Sequence, residues 1–357
     1  MPAPLLTTTT PWAETYDEII DVRSPGEYTE DHWPGSLNLP VLNDAERAEI
    51  GTLYKQVDPF VARKRGAALV ARNIAQHLDT HFAPKDRTYQ PLIHCWRGGQ
   101  RSNSMALVLA QVGWRVTILE GGYKTYRAWV REQLSHVPHQ LTFIVLSGAT
   151  GSGKTELLHR LQAQGSQVLD LEQLANHRGS LLGQEWQQPQ PSQKYFESLL
   201  LQRLQYFDPR RPIWVESEST RIGEVHLPPA LWQQMKGSQS VEVERPVAER
   251  VNWIIQTYPH LIEHPDLLKA KLDPLKQRYG KAVLNTWFTA IDAHHWPQLV
   301  QALLEHHYDP TYRHGIERDY LAPVQTVRIP SFARADLSSA LATLQTLEGS
   351  LAPAPES

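Results

Sequence analysis

This sequence predicts an α/β fold of two sheet-bearing units in series, the second a doubly wound parallel sheet with a helical C-terminal region. Three observations predict it. A short apolar run, a glycine-bearing loop and apolar residues at helical spacing follow one another at residues 91–110 and again at 143–161. That strand, loop, helix order is how parallel sheets are assembled. The length of 357 residues suits two domains, and 41% hydrophobic with 20% charged residues is an ordinary globular balance able to bury cores. No apolar run approaches the ~20 residues of a membrane helix. The opening MPAPLLTTTTPW lacks the basic start and apolar core of a signal peptide, so a cytoplasmic location without a membrane partner is expected. A single cysteine, Cys95, excludes an internal disulfide framework and a cysteine-clustered zinc site. The net charge of −3 makes no global case for nucleic acid and leaves that to local basic patches.

In chain order, residues 19–22 (Ile-Ile-Asp-Val) read as a strand ending in Arg23 and a Ser-Pro-Gly turn. Residues 44–82 are helical in pattern, with Arg63, Lys64, Arg65 and Arg72 forming either a solvated face or a nucleic-acid contact. Residues 91–94 form an apolar strand running into Cys95-Trp96-Arg97-Gly98-Gly99-Gln100-Arg101-Ser102, and a helix follows. A thiol facing loop N–H groups, a helix N-terminus and Arg97 or Arg101 has a depressed pKa and a reactive thiolate. The same nest stabilises an anionic persulfide or perselenide, or the oxygens of a thiosulfate- or phosphate-like donor. A lone cysteine is otherwise an inert buried hydrophobe; its place in a Gly- and Arg-rich loop argues for reactivity. Residues 116–123 add a strand and turn, after which Lys124, Arg127 and Arg131 recur at one-turn spacing, a basic face beside this site and a candidate nucleic-acid contact.

Residues 134–140, with His136, Pro138 and His139, read as a linker. The second domain spans 141–350 and opens on Phe143-Ile144-Val145-Leu146, then Gly148-Ala149-Thr150-Gly151-Ser152-Gly153-Lys154-Thr155. This GxxxxGKT string between strand and helix is a P-loop, so the domain is expected to be P-loop NTPase-like. Gly148, Gly151, Ser152 and Gly153 turn backbone N–H groups toward a diphosphate at a helix N-terminus. Lys154 adds a point charge, and the Thr155 hydroxyl is a candidate Mg²⁺ ligand. Residues 166–172 form a second strand ending in Asp170, and the loop beyond it carries His177, Arg178 and Ser180. Because ligands bind beyond strand C-ends in such sheets, these four are acceptor-side candidates, each equally open to a structural role. Residues 212–218 form a third strand ending in Glu216, where a Walker B strand usually has Asp; Glu216 is a candidate to position Mg²⁺ or act as a base. Arg221, Arg245 and Arg250 lie beyond it, where arginines cover transferring phosphates or face solvent. Residues 247–305 read as helices with Trp253, Trp287 and Trp296 on apolar faces. Lys269, Lys271, Lys276, Arg278 and Lys281 are the densest basic stretch and a second candidate for nucleic-acid phosphate-backbone contacts. The Ala/Pro-rich tail, 351–357, is expected to be disordered.

Two family resemblances rest on these strings. Asp21-Val22-Arg23-Ser24-Pro25-Gly26-Glu27-Tyr28, His32, the run Pro34-Gly35-Ser36-Leu37-Asn38-Leu39-Pro40, the CWRGGQRS loop and Leu119-Glu120-Gly121-Gly122-Tyr123 together resemble a rhodanese (sulfurtransferase) domain over residues 10–133. The resemblance implies a small α/β sheet with Cys95 as chalcogen-carrying nucleophile, and makes the helical segment 44–82 an insertion. The order rhodanese then P-loop, with GATGSGKT, LDLEQLANHRGS, QPSQKYFE and VESEST-RIG, is similar over nearly the whole chain to the tRNA 2-selenouridine synthase family. That resemblance implies a transferase replacing sulfur by selenium at a wobble 2-thiouridine of tRNA. Geranyl diphosphate first alkylates the sulfur, selenophosphate then supplies selenium, and geranylthiol leaves. It further implies that the P-loop grips geranyl diphosphate, with Mg²⁺ assisting, that Cys95 carries a perselenide or positions selenophosphate, and that a selenophosphate-supplying enzyme is a partner. The residues alone leave two other readings open: a P-loop small-molecule kinase regulated by the rhodanese-like domain, and an ATP-dependent tRNA sulfurtransferase.

Overall fold

The computed structural model describes residues 3–351. The chain forms two compact units, Met1–Gln133 with Glu197–Leu201, and Leu134–Phe196 with Gln202–Ser357. Strands of the first unit are β1 (Leu6–Thr8), β2 (Glu18–Asp21), β3 (Leu37–Asn38), β4 (Pro91–His94) and β5 (Thr117–Leu119). All pair in parallel, in the order β1-β5-β4-β2-β3. The central β4 is buried along its whole length, as expected of a parallel strand covered on both faces. Ile20, Ile93, Met105, Leu109, Val116 and Ile118 form the core around it. The predicted helical insertion is two helices, Asp44–Gln56 and Pro59–His77, followed by a π-helical turn Leu78–Phe82. Local signals set their starts. Asn43 and Glu46 exchange side-chain-to-backbone hydrogen bonds at 2.9 Å, a capping box. Asp58 accepts from the Phe60 and Val61 N–H groups ahead of Pro59.

The expected linker is not extended chain. A helix Tyr123–His136 runs through its start and a 3-10 turn, Val137–Gln140, completes it. Leu134 and Pro138 are buried, and that burial holds the segment in shape.

The second unit contains β6 (Phe143–Ser147), β7 (Gln167–Leu169), β8 (Ile213–Glu216), the hairpin strands β9 (Arg221–Ile222) and β10 (Val225–His226), then β11 (Gln239–Glu244) and β12 (Gln325–Arg328). Its five-stranded sheet is parallel in the order β12-β11-β6-β8-β7. The chain starts at the centre, builds β7 and β8 on one side, then crosses to build β11 and β12 on the other. That reversal makes the C-terminal end of β6 the switch point where such sheets bind ligands. The helical region lies between β11 and β12, with its own core of Leu272, Leu284, Trp287, Ile291 and Leu303. A last helix, Arg334–Leu351, packs Leu337, Leu341 and Leu344 against the sheet core. Leu351 is thus helical rather than the first tail residue, and 352–357 lie outside the described residues.

Candidate active site

Cys95 is the first residue after β4, whose His94 is in register with Asp21 of β2. The turn after β5 closes over the loop: the Tyr123 N–H donates to the Cys95 carbonyl at 2.7 Å and the Lys124 N–H to that of Trp96 at 3.3 Å. A Cβ on Gly122, at φ +59°, would come 2.3 Å from the Cys95 oxygen, so only glycine permits this approach. Cys95 is 3% exposed. Its Sγ accepts from the Gly99 N–H at 3.3 Å and lies 3.3 Å from Ser102 Oγ. Burial acts to raise the thiol pKa, but hydrogen bonds from Ser102 and from the Arg97 and Gly99 N–H groups outweigh it and leave the thiol below its ordinary value.

A buried polar cluster adjoins the loop. Arg23 grips Asp21 through Nε (3.0 and 2.9 Å) and Nη2 (2.6 Å), donates to the Asp31 carbonyl, and lies 4.0 Å over the Tyr123 ring. His94 is fully buried, with neither ring nitrogen hydrogen-bonded. Burial holds it below the usual histidine pKa, hence neutral. Arg101, expected to face Cys95, is instead bound through Nη1 and Nη2 to the Glu27 carboxylate at 2.6 and 3.3 Å, while Arg97 is exposed. Backbone and hydroxyl donors, rather than arginine contacts, therefore surround the sulfur.

In the second unit β6 ends at Ser147 and the loop turns into the helix Lys154–Ala163. Lys154 Nζ donates to the Gly148 carbonyl at 2.5 Å and lies 5.5 Å from the Tyr312 ring centre. The Gly148 N–H donates to the Tyr312 hydroxyl. Thr155 Oγ1 donates to Glu172 Oε2 at 3.1 Å, and the Glu172 N–H to Glu216 Oε1 at 2.8 Å. Glu216 Oε2 has no hydrogen-bond partner among the described residues. Glu172, Glu216 and Glu218, from the ends of β7 and β8, crowd one place. Burial, then repulsion from Asp170 and Glu172, pushes Glu216 well above the carboxylate range; burial, then Glu172, pushes Glu218 up to about 8, with Lys154 opposing the latter shift. Arg250 Nε donates to the Thr150 carbonyl at 2.8 Å, and its Nη atoms bind Asp309.

Two cavities meet at this loop. A polar one of about 880 Å³ is lined by Gly151, Gly153, Lys154, Thr155, Glu172, Glu218 and, from the helix Asp309–Asp319, Tyr312 and Arg318. An almost wholly apolar one of about 60 Å³ is lined by Ile254, Leu261, Trp296, Leu299, Val300, Leu303 and Tyr308 among others. Thr150, Ser180, Ile254 and Tyr258 line both.

For Mg²⁺, no three His, Cys, Asp or Glu side chains among the described residues converge as a metal site. Thr155 and Glu172 nevertheless offer two hard oxygens 3.1 Å apart, beside Glu218; burial first raises the pKa of both carboxyls, with Lys154 opposing. That donor set fits an ion completed by phosphate oxygens and water.

A family model described as the tRNA 2-selenouridine synthase AAA domain matches residues 141–271, and a rhodanese-like domain model matches 10–129. A Nitrosomonas europaea protein named tRNA 2-selenouridine synthase is 37% identical over 249 residues, 67% of this chain and 63% of that protein. A Bdellovibrio bacteriovorus protein of the same name is 29% identical over 344 residues, 85% of this chain and 90% of that protein. The chain belongs to the tRNA 2-selenouridine synthase family. The match spans less than two thirds of the Nitrosomonas protein's length and nine tenths of the Bdellovibrio protein's. Among solved structures, the N-terminal domain of a Clostridium difficile 630 protein is 32% identical over 36% of this chain and 98% of that domain, with a TM-score of 0.32.

Within this family member, Asp170, His177, Arg178 and Ser180 line the polar cavity with Gly151, Gly153, Lys154 and Thr155. Asp170 caps a helix and lies 2.6 Å from His159 Nε2; Arg178 holds Glu185 and the Thr257 carbonyl. Glu216 is buried and acts on Glu172 rather than on the cavity. Arg221 is not brought to the site: it is exposed on β9, its Nε bonded to the Gly223 carbonyl, because the chain turns there into a hairpin. Of the candidate tRNA contacts, Lys124, Arg131, Lys276, Arg278 and Lys281 are exposed. Arg127 is half-buried and paired with Glu197 and Lys269 is paired with Asp292, so these two charges are engaged, whereas Lys271 donates to the neutral Gln184 amide and keeps its charge. Sequence reasoning missed Glu172, Glu218 and Tyr312. The first two stand inside strings already singled out, two residues after Asp170 and Glu216; nothing local marks Tyr312.

Proposed function

We propose that the chain converts a wobble 2-thiouridine of tRNA to 2-selenouridine through an S-geranyl intermediate, using geranyl diphosphate and selenophosphate. The names of the relatives support the tRNA substrate and the product. The observation that carries the geranyl step is the junction of the two cavities: the one lined by Gly151, Gly153, Lys154 and Thr155 shares Thr150, Ser180, Ile254 and Tyr258 with a hydrocarbon-lined space. An isoprenyl diphosphate has both parts, and its hydrocarbon needs no polar partner in such a lining.

In this reading the loop N–H groups and Lys154 hold the diphosphate, and the branched end of the chain enters the apolar cavity. The thiocarbonyl sulfur attacks the allylic carbon, the carbon–oxygen bond breaks, and pyrophosphate leaves. Mg²⁺, when bound at Thr155 and Glu172, supplies charge neutralisation on the departing group. Alkylation turns a poor sulfur leaving group into a good one. Selenophosphate selenium then adds to the same ring carbon, geranylthiol departs, and water takes up the phosphoryl group. Forming a perselenide on Cys95 from selenophosphate would need an oxidant, so we assign the Cys95 thiol, together with the N–H donors of its loop, to positioning selenophosphate.

The test is to incubate the chain with 2-thiouridine-bearing tRNA and geranyl diphosphate and weigh the nucleosides. A geranyl adduct lost in Lys154→Ala and retained in Cys95→Ala, the latter failing to incorporate selenium, supports the proposal. ATP turnover with a small acceptor, indifferent to tRNA, would point to a kinase instead.

A further inference from the structure

Arg245 lies between β11 and the helix Val247–Thr257. It is 7% exposed, and none of its three guanidinium nitrogens has a hydrogen-bond partner among the described residues. Its guanidinium carbon lies 3.3 Å from the Phe332 ring centre, and the opposite face of Phe332 is stacked at 4.0 Å on Trp253. A Cβ built on Gly153 would lie 3.5 Å from Nη2, so the cation rests against the phosphate loop itself. The two other cations at that loop are engaged, Lys154 with the Gly148 carbonyl and Arg250 with Thr150 and Asp309.

A guanidinium out of water without an acceptor is unfavourable, and stacking on Phe332 recovers only part of that cost. Burial pulls its pKa down to about 10, with Glu249 and Asp336 opposing, so it remains a cation at neutral pH. Neither carboxylate hydrogen-bonds to it; what the guanidinium lacks is an acceptor within reach.

We propose that Arg245 is a ligand of the diphosphate held by residues 148–155, binding a phosphate oxygen once the substrate is in place. This rests on the diphosphate reading given above. Phe332, sandwiched between Trp253 and Arg245, is the stop against which the guanidinium is positioned.

Inorganic pyrophosphate titrated calorimetrically into the full chain, Arg245→Gln, Arg245→Lys and Lys154→Ala, with melting curves with and without it, decides the matter. Arg245→Gln should weaken pyrophosphate binding at least about tenfold, the scale of a charge-assisted hydrogen bond, and Arg245→Lys less. Because an unpartnered buried charge is removed, the ligand-free melting temperature of Arg245→Gln should not fall. Affinity unchanged in Arg245→Gln, together with a lower ligand-free melting temperature, makes the residue structural and overturns the proposal. If Lys154→Ala loses binding while Arg245→Gln keeps it, Arg245 is excluded and the diphosphate reading stands. If the parent chain binds no pyrophosphate, both fall.

Discussion

Replacing Glu218 by glutamine should stabilise the ligand-free chain, and increasingly so as pH rises from about 4.5 to about 8. Glu218 is 9% exposed; burial and the Glu172 carboxylate push it from 4.5 up to about 8 against the pull of Lys154. Between those values the folded chain holds a proton that the unfolded chain has released. Stability from this group is therefore full below about pH 4.5 and is lost as pH rises through about 8. At ~1.36 kcal/mol per pH unit, the loss by pH 8 is on the order of 4 kcal/mol; sharing of the proton with Glu172 reduces what one substitution recovers to about 2 kcal/mol. Glutamine is neutral throughout and still has an N–H to offer Glu172, as the protonated carboxyl does. Urea unfolding of both chains at pH 5, 6, 7 and 8, without Mg²⁺ or diphosphate, reads the effect. The curves should coincide near pH 5 and separate in favour of Glu218→Gln by pH 8. Parallel pH profiles, or a variant equally weakened at every pH, would refute the crowded-carboxylate reading.

Iodoacetamide alkylation of Cys95 should follow a thiolate titrating below the ordinary value of 9.0, and Ser102→Ala should move that midpoint up; an unmoved midpoint removes Ser102 from its cause. Gly122→Ala should cost ~2 kcal/mol or more in chemical unfolding, since its Cβ would meet the Cys95 carbonyl, whereas Gly35→Ala, also at positive φ but with nothing within 4 Å, should cost ~1 kcal/mol; equal costs would mean that the contact is not the constraint. Glu27→Gln should destabilise by ~3 kcal/mol by leaving Arg101 without its carboxylate, while Arg47→Ala, removing Glu27's exposed second partner, should stay within ~1 kcal/mol. Similar melting temperatures for these two variants would count against the buried pair.

What the sequence revealed was local. The GxxxxGKT loop, the CWRGGQRS loop and the strand that feeds each are contiguous, so spacing alone places them. The edge strand β12 escaped because Gln325-Thr326-Val327-Arg328 buries only Val327, leaving no apolar run or clean alternation to read. The ion pair of Arg101 with Glu27, 74 residues away, escaped because no periodicity links the two, although Arg101 and Cys95 still interact through their charges. Tyr312 meets Gly148 across 164 residues from a helix whose own pattern is unremarkable. The carboxylate cluster combines the ends of two strands, and strand order, which brings them side by side, is not written in either. The apolar cavity is assembled from four helices and two loops, so its existence is a property of packing alone.

Binding of geranyl diphosphate against inorganic pyrophosphate and ATP, in the parent chain and in Val300→Phe, puts the diphosphate-and-hydrocarbon site to its most direct test. Val300 lines the apolar cavity of about 60 Å³; at ~0.8 kcal/mol per buried methylene, two or three carbons placed there are worth about 2 kcal/mol. Geranyl diphosphate should accordingly bind about thirtyfold more tightly than pyrophosphate, and Val300→Phe should erase that advantage while leaving pyrophosphate affinity intact. Equal affinities for the two in the parent chain, or a preference for ATP that Val300→Phe does not touch, would contradict it.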